Sequence, residues 1–516
     1  MKIINKVLSF IYLILFISMI GKFAITMADY AINRDFPWIL QTGRYILVHN
    51  IIPQTDIFSW TLPNQSWTLY QWLFEVFIAL SEKYLGIDYL IRVFIILTIS
   101  IYILIPLAFH QIHADPNKKT SAFFSLVISS ICLYIISTNI SLRPMIVSSF
   151  FLLIQYLLLN SFQRNKIKLL VLIPIIFCLY CLWANMHLGV TLGFISLVST
   201  FVGNHLDSLE SNSYQQFSEK PQSNTSSSSF LQKYFPQILL LTAFLGSLIN
   251  PYGLNVYPYL ANIHSQGYMN QLIGELRSPD FHWPVFQLFL FLFFVFIVLS
   301  YLSTGKKKFI NNSEFLHLLI FSFMTFVTAR IVVWACLFYA LILPIVIQRV
   351  VNEYTQYNPN FILKSIGDDF EYLTKPFISI ILIGIFTFIT FPNIFKINKN
   401  GECAPVMKAI NTYQKQLKAD SDRAIVDDLI GGCSLLNYPS EKVFIDTRFD
   451  FYAENFVKAW RVDFIEGKNF TEYIKRWNLN TFILQKNWPA AIMLNKSTMF
   501  TKIYEDKVVV IFRKSS

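Results

Sequence analysis

Between Val7 and Pro392 the chain returns repeatedly to apolar runs that approach twenty residues with few or no charges. A run of about that length crosses the hydrocarbon core of a bilayer as a helix, and a helix satisfies its own backbone hydrogen bonds where water cannot. The runs fall at about 7–27, 88–110, 121–138, 144–162, 168–185, 188–204, 235–250, 283–303, 314–328, 331–350 and 375–392. They predict a polytopic α-helical membrane protein with about eleven transmembrane helices. Only 14% of residues are charged, against roughly 25% in soluble domains, which excludes a soluble globular chain. The first run is too long for a typical signal-peptide core and no small-residue cleavage site follows it, so it reads as a retained helix. Much of the Lys and Arg behind the +11 formal charge sits in short loops, where it sets topology. No nucleic-acid partner is expected.

Lys and Arg mark cytoplasmic loops. With Lys2 and Lys6 inside, threading puts "HADPNKKTS", "QRNKIK", the Ser-rich flexible stretch 205–234, "STGKKKFINNSE" and "QRVVNEYTQYNPNF…TKP" inside as well. The outer segments are then 28–87, "NISLRP", "NMH", "NPYG…RSPDFHW", "TARI" and the tail after Pro392. Leu69–Gly86 is apolar but short and carries Glu75, and charge bias favours an interfacial or re-entrant helix there. The expected organisation is a transmembrane module over 1–392 and a small outer α/β domain over 393–516. The tail's strand-like pieces are "RAIVDD", "KVFIDTR", "NTFILQK" and "KVVVIF". In a bacterium the outer side is the periplasm, and the membrane the inner one. Cys403 and Cys433 are candidates for a disulfide there, which spacing does not decide. Cys132, Cys178, Cys181 and Cys336 lie in apolar runs and read as packing residues.

Threading used only hydropathy and inside charge, yet it sorts the unusual ionisable groups to one face. Arg34, Asp35, Arg44, Asp56, Arg143, His187, Arg277, Asp280 and Arg330 all lie at outer helix ends or in outer loops. Charges at membrane depth are costly and usually face a cavity or a partner. Carboxylates with several arginines suit an anionic, lipid-linked substrate, because the guanidinium fork matches phosphate oxygens. A carboxylate beside it can act as a general base or hold a divalent cation. Each residue also has a plainer reading. Arg143 and Arg330 can snorkel to headgroups, and Asn185 or Asp56 can cap a helix or turn. His187 in a tight connection is commonly structural, "NPYG" is a good turn, and Trp38, Trp60, Trp67 and Trp72 fit an interfacial aromatic belt. Glu75 reads equally well as a surface residue of an interfacial helix.

The stretch "DFPWILQTGRYIL…IPQTDIFSWT…W…QWLFE" resembles a bacterial family of polytopic proteins of the GT-C glycosyltransferase type. The resemblance continues through "LRPMIVS", "WANMHLGV", "NPYG", "RSPDF" and "VFIDTRFDFY", in order along most of the chain. Met186 and Leu188 depart from the family's "WANLHGGF". Asn33 stands where many relatives have an acid two positions before the Asp35 equivalent, which weakens a two-carboxylate metal site. The resemblance implies a GT-C-like membrane glycosyltransferase using a polyprenyl-phosphate-linked sugar. The cofactor is unknown, a divalent cation being an option, held by Asp35 if present.

Together these readings name Asp35 as catalytic, with Asp56 and Glu75 secondary. Arg143, Arg330, Arg277 and Arg34 are expected on the donor phosphate, and His187, Asn185, Trp38 and Trp67 on the rest of the substrate. Partners are the lipid-linked sugar, membrane lipid and a glycan, lipid or protein acceptor. A flippase would need ionisable groups recurring at mid-span, and few do. A non-catalytic glycolipid-binding or assembly protein is the other alternative.

Overall fold

The computed structural model describes residues 2–113, 122–216, 234–265, 267–303, 308–357, 379–385, 387–390 and 396–515. The Lys118–Lys119 loop, most of the Ser-rich stretch, Lys306–Lys307 and the 392/393 boundary lie outside the described residues.

The chain is mostly helical. Each expected apolar run coincides with a helix in its described part. Among the described residues six helices are long and apolar enough to cross a membrane, and four shorter ones are similarly apolar. In chain order the first eight are α1 (Lys2–Tyr30), α2 (Phe36–His49), α3 (Trp72–Ile99), α4 (Ile105–His113), α5 (Ala122–Ile136), α6 (Met145–Gln163), α7 (Leu169–Met186) and α8 (Val190–Gln216). The helices Phe235–Ser247, Pro284–Leu302, Asn312–Val327 and Val332–Tyr357 follow.

Two features depart from the sequence reading. The segment after α1 is not merely a loop, because α2 lies within it. Pro37 sets the first turn, Asn50 closes the last in the left-handed conformation (φ 54°), and Phe36, Ile39, Leu40, Gly43 and Ile46 form its buried face. The second concerns 69–86, the expected separate helix, which forms the first piece of α3 and adjoins the next apolar run. The two pieces meet at Gly86, whose φ of 79° and ψ of 161° break the helical path, and the second continues by one π-turn into α4. The run Trp72–Ile112 has 41 residues, about 60 Å of helix and twice a bilayer core. The half before Gly86 therefore packs along α2. An added Cβ at Gly43 would sit 2.0 Å from the Glu75 carbonyl oxygen, so only glycine permits this approach.

One end of the bundle gathers the ends of many helices. Leu142 N–H donates to Ala31 O (2.8 Å), and Ala329 N–H to Arg277 O (2.8 Å). The Trp72 indole donates to Asn185 Oδ1 (2.8 Å), and the Asn185 amide to Ile249 O (2.6 Å). Tyr252 of "NPYG" accepts from Leu69 N–H (2.8 Å). At the opposite end Arg349 forks onto Glu314 (2.7 and 3.0 Å), and Lys308 pairs with Asp207 (2.6 Å).

The tail, described over 396–515, packs on the first end. Its sheet has the order β1 (Ala424–Val426), β2 (Thr481–Gln485), β4 (Val509–Lys514), β3 (Phe500–Glu505), with β1 parallel to β2 and the other pairs antiparallel. "KVFIDTR" is not a strand of this sheet. Val443 makes one bridge with Ser59, and the residues after it turn inward so that Asp446 and Arg448 can pair. The edge strand β3, which is half exposed, was not anticipated. Cys403 and Cys433 form a disulfide. Of the other cysteines, Cys132 and Cys336 are buried, Cys181 is partly buried and Cys178 is exposed, so the packing reading holds for the first two and not for Cys178.

The tail is fastened to the 50–68 loop by a buried ionic group. Arg448 Nη2 lies 2.7 Å from both Asp56 Oδ1 and Asp446 Oδ2, and all three side chains are fully buried. Removing one member of such a group leaves a buried charge uncompensated and costs about 3–5 kcal/mol. Arg448→Ala is accordingly expected to lower the thermal unfolding temperature markedly and to expose Trp67 to water, read by fluorescence. An unchanged melting temperature would contradict it.

Candidate functional site

Three segments distant in sequence meet around one carboxylate. Asp35 stands at the entry to α2, Arg143 just before α6, and Arg330 just before Val332–Tyr357. Between them lies Glu275, on the single turn Gly274–Leu276. Arg143 places Nη1 3.0 Å and Nη2 3.5 Å from the two Glu275 oxygens, and the same Nη1 3.4 Å from Asp35 Oδ2. Its Nε donates to Ser141 Oγ (2.9 Å). Arg330 Nη2 bonds Glu275 Oε1, while its Nε is buried without a partner. Burial works against the Glu275 charge, but Arg330 and then Arg143 outweigh it and hold the carboxyl down at about 2. Burial likewise opposes the Arg143 charge, and Glu275 and Asp35 together keep that guanidinium above its ordinary range.

Asp35 is oriented from behind by Asn33, whose Oδ1 accepts from the Asp35 and Phe36 N–H groups (3.3 and 3.2 Å) and whose amide reaches Asp35 Oδ2 (3.3 Å). The tail supplies a further carboxylate, Asp450, which accepts from the Tyr259 hydroxyl (3.3 Å). Burial, with the nearby Asp35 charge, raises the Asp450 carboxyl above its usual range. The Tyr70 phenol lies within electrostatic reach of Asp450, Arg330, Glu75 and Asp35, and its ring is 5.9 Å from that of Tyr259.

The expected site residues divide accordingly. Asp35, Arg143 and Arg330 come together. Glu75 is fully buried, not on a surface, with Oε1 accepting from Gln71 (3.1 Å) and Oε2 unpartnered. His187 accepts from Gly189 N–H (3.3 Å) and shares a hydrogen with Ser148 Oγ (2.6 Å). Burial and the Arg330 charge push its imidazole down to about 3, so it is neutral beside the arginine. Asn185 ties helix ends together. Asp56 lies in the Arg448 group and accepts from the Phe58 and Ser59 N–H groups (3.1 and 2.9 Å). Arg34 reaches Asp428 (3.4 Å) and Glu402 (3.5 Å) of the tail. Arg277 is exposed and bonds Gln271 O. Trp38 and Trp67 are 7% and 3% exposed and pack edge to face, leaving little ring surface to a sugar.

Glu275, Asp450, Tyr70 and Tyr259 were missed. The first two stand inside or beside quoted motifs, as "GELRSPDF" and "RFDFY", but nothing local distinguishes them from solvated acids. As for a divalent cation, a hard ion takes about six or more oxygens. Here the Asp35 oxygen faces a guanidinium and an amide N–H, and among the described residues no three His, Cys, Asp or Glu side chains converge to hold a metal. These donors do not fit one.

The chain is similar to oligosaccharyltransferase from the archaeon Archaeoglobus fulgidus. It aligns with a form tethered to an acceptor peptide containing the NVT sequon at TM-score 0.48 and 11% identity, over 97% of this chain and 74% of that one. A form in complex with an inhibitory peptide and a dolichol-phosphate aligns at TM-score 0.46 and 11% identity, over 91% and 69%. No family model and no curated protein matches the sequence. A likeness of this strength settles no chemistry, which rests on the geometry above.

Glu275 predicts an acid limb. Its folded-state carboxyl lies below the ordinary value of 4.5, so its contribution to stability is present above about pH 4.5 and is lost as pH falls toward 2. One pH unit corresponds to about 1.4 kcal/mol. Thermal unfolding between pH 6 and pH 3 should show a smaller fall for Glu275→Gln than for the wild type.

Proposed function

We propose that this protein is a membrane glycosyltransferase that moves a sugar from a polyprenyl-phosphate-linked donor to an acceptor hydroxyl. The observation that carries the reading is the convergence of Arg143 and Arg330 beside Asp35 at the ends of apolar helices. In this reading that is an anion site next to a base, at helix ends where a lipid phosphate would meet it. The acceptor oxygen attacks the anomeric carbon as Asp35 takes its proton. The bond from that carbon to the phosphate oxygen breaks, and the electron pair leaves with the polyprenyl phosphate. Arg143 and Arg330 hold the phosphate as its charge grows. His187, neutral beside Arg330, adds no competing charge. In this reading the site end faces the periplasm of a bacterial inner membrane, with residues 393–516 as an outer domain. The Cys403–Cys433 disulfide supports an oxidising side.

Asp35→Asn keeps size and removes the base. It should lower transfer about 10²–10⁴-fold with insertion intact, while Asp29→Asn, exposed on the same stretch, should not. Transfer is read by mass spectrometry of surface glycans and periplasmic glycoconjugates from cells carrying each variant. Wild-type transfer by Asp35→Asn would sink the assignment.

The donor site has its own test. Each charge-assisted contact is worth roughly 1.5–3 kcal/mol, so Arg143→Ala or Arg330→Ala should weaken donor binding about tenfold to a hundredfold. Lysine should rescue only partly, since it lacks the fork. Full activity in the double alanine variant would rule the phosphate role out.

A further inference from the structure

The two arginines assigned to the donor phosphate already hold an anion of this chain. Glu275 receives Arg143 through two nitrogens (3.0 and 3.5 Å) and Arg330 through one. A carboxylate gripped by two guanidinium groups occupies the place, charge and fork geometry that a phosphate would need. Without it, two cations would face each other half-buried. The carrier is slight: Glu275 sits on a single three-residue turn, anchored behind by Arg277 O to Ala329 N–H (2.8 Å) and Ser278 Oγ to Val327 O (3.3 Å). The Glu275 carboxylate itself meets the fold through those two guanidinium groups.

Resting on the donor reading above, the geometry points to Glu275 as a resident anion that competes for the phosphate site. It occupies the donors of Arg143 and Arg330, and the donor phosphate displaces it. Arg330 Nε, buried without a partner, is a donor that Glu275 leaves unused and that a phosphate, with more acceptor oxygens than a carboxylate, can engage. The displaced carboxylate then swings out on its turn. Phosphate binding and movement of the 274–277 turn are one event, and the competition sets a ceiling on the donor affinity. An ion pair that only braces the fold makes the opposite demand, because removing Glu275 would then loosen the arginines and weaken binding.

The test uses the full-length protein in nanodiscs and undecaprenyl phosphate as the probe. Glu275→Gln removes the competing charge and should bind the probe about tenfold or more tighter, the factor of one charge-assisted contact. Arg143→Gln should bind it more weakly. Equal or weaker binding by Glu275→Gln, with wild-type binding that still depends on Arg143, overturns the displacement and leaves the donor site standing. No binding by the wild type overturns both. A measurement on the wild type guards against a variant that fails to fold. Amide hydrogen exchange over 274–277 should speed up when the probe is added, and exchange that is unchanged or slower overturns the inference.

Discussion

Arg448 is the residue about which the site end is assembled. A guanidinium taken out of water costs several kcal/mol unless its charge and donors are met. Here two carboxylates meet the charge, and rings meet the faces: the Trp67, Phe451 and Phe58 centroids lie 4.5, 4.7 and 4.9 Å from Cζ. Nη1, which has no hydrogen-bond acceptor, is covered by this aromatic shell. Arg448 and Asp446 belong to the tail, Asp56 and Trp67 to the loop after α2, so this group is the buried centre of the contact between the two parts, flanked by the Ser59–Val443 bridge and the Arg34 ion pairs. Asp450, two residues further on, is thereby brought within reach of Asp35.

The two ends of the helical bundle differ in how completely their charges are closed. At the far end the Asn311–Glu314 capping box and the Arg349 fork satisfy one another. Within the bundle Arg92 is spent on Asp88 and on Phe388 O. At the tail end Arg330 Nε and Glu75 Oε2 are buried with nothing to bond. Buried polar atoms are ordinarily paired, and Arg330 Nε is a free donor beside the Glu275 carboxylate that a polar ligand can use. The opening Asn33–Arg34–Asp35 stretch shows the division in miniature. Asn33 braces, Arg34 docks the tail, and Asp35 faces the arginines.

The helices were legible because hydrophobic length is a one-dimensional signal, and the grouping of Asp35, Arg143 and Arg330 followed from alternation along the chain. Helix α2 is legible in its apolar spacing and the Pro37 and Asn50 termini, a pattern that the charges and aromatics of the same stretch mask. The partners of Arg34 and Arg277 were not legible. Arginines at helix ends look alike in sequence, and only the fold says that one meets Asp428 and another a backbone carbonyl. Trp67 resembled a sugar platform for the same reason, since its ring face is spent on Arg448. "KVFIDTR" has the composition of a strand, and what overrides it is a contact with Asp56 that no local pattern announces.

The distance along the chain between Asp56 and Arg448 bears on how the protein is made. The two are 392 residues apart, and a ribosome adds about 5–20 residues per second. The first loop must wait roughly 20–80 s, by that rate, before its cation exists. During that time Asp56, Phe58 and Trp67 stand without the cation they surround in the finished fold. The helices can insert in turn, but the site end is completed last, when the tail arrives. A chain cut short between residues 392 and 448 would keep its apolar helices and lack the buried cation that meets Asp56 of its first loop.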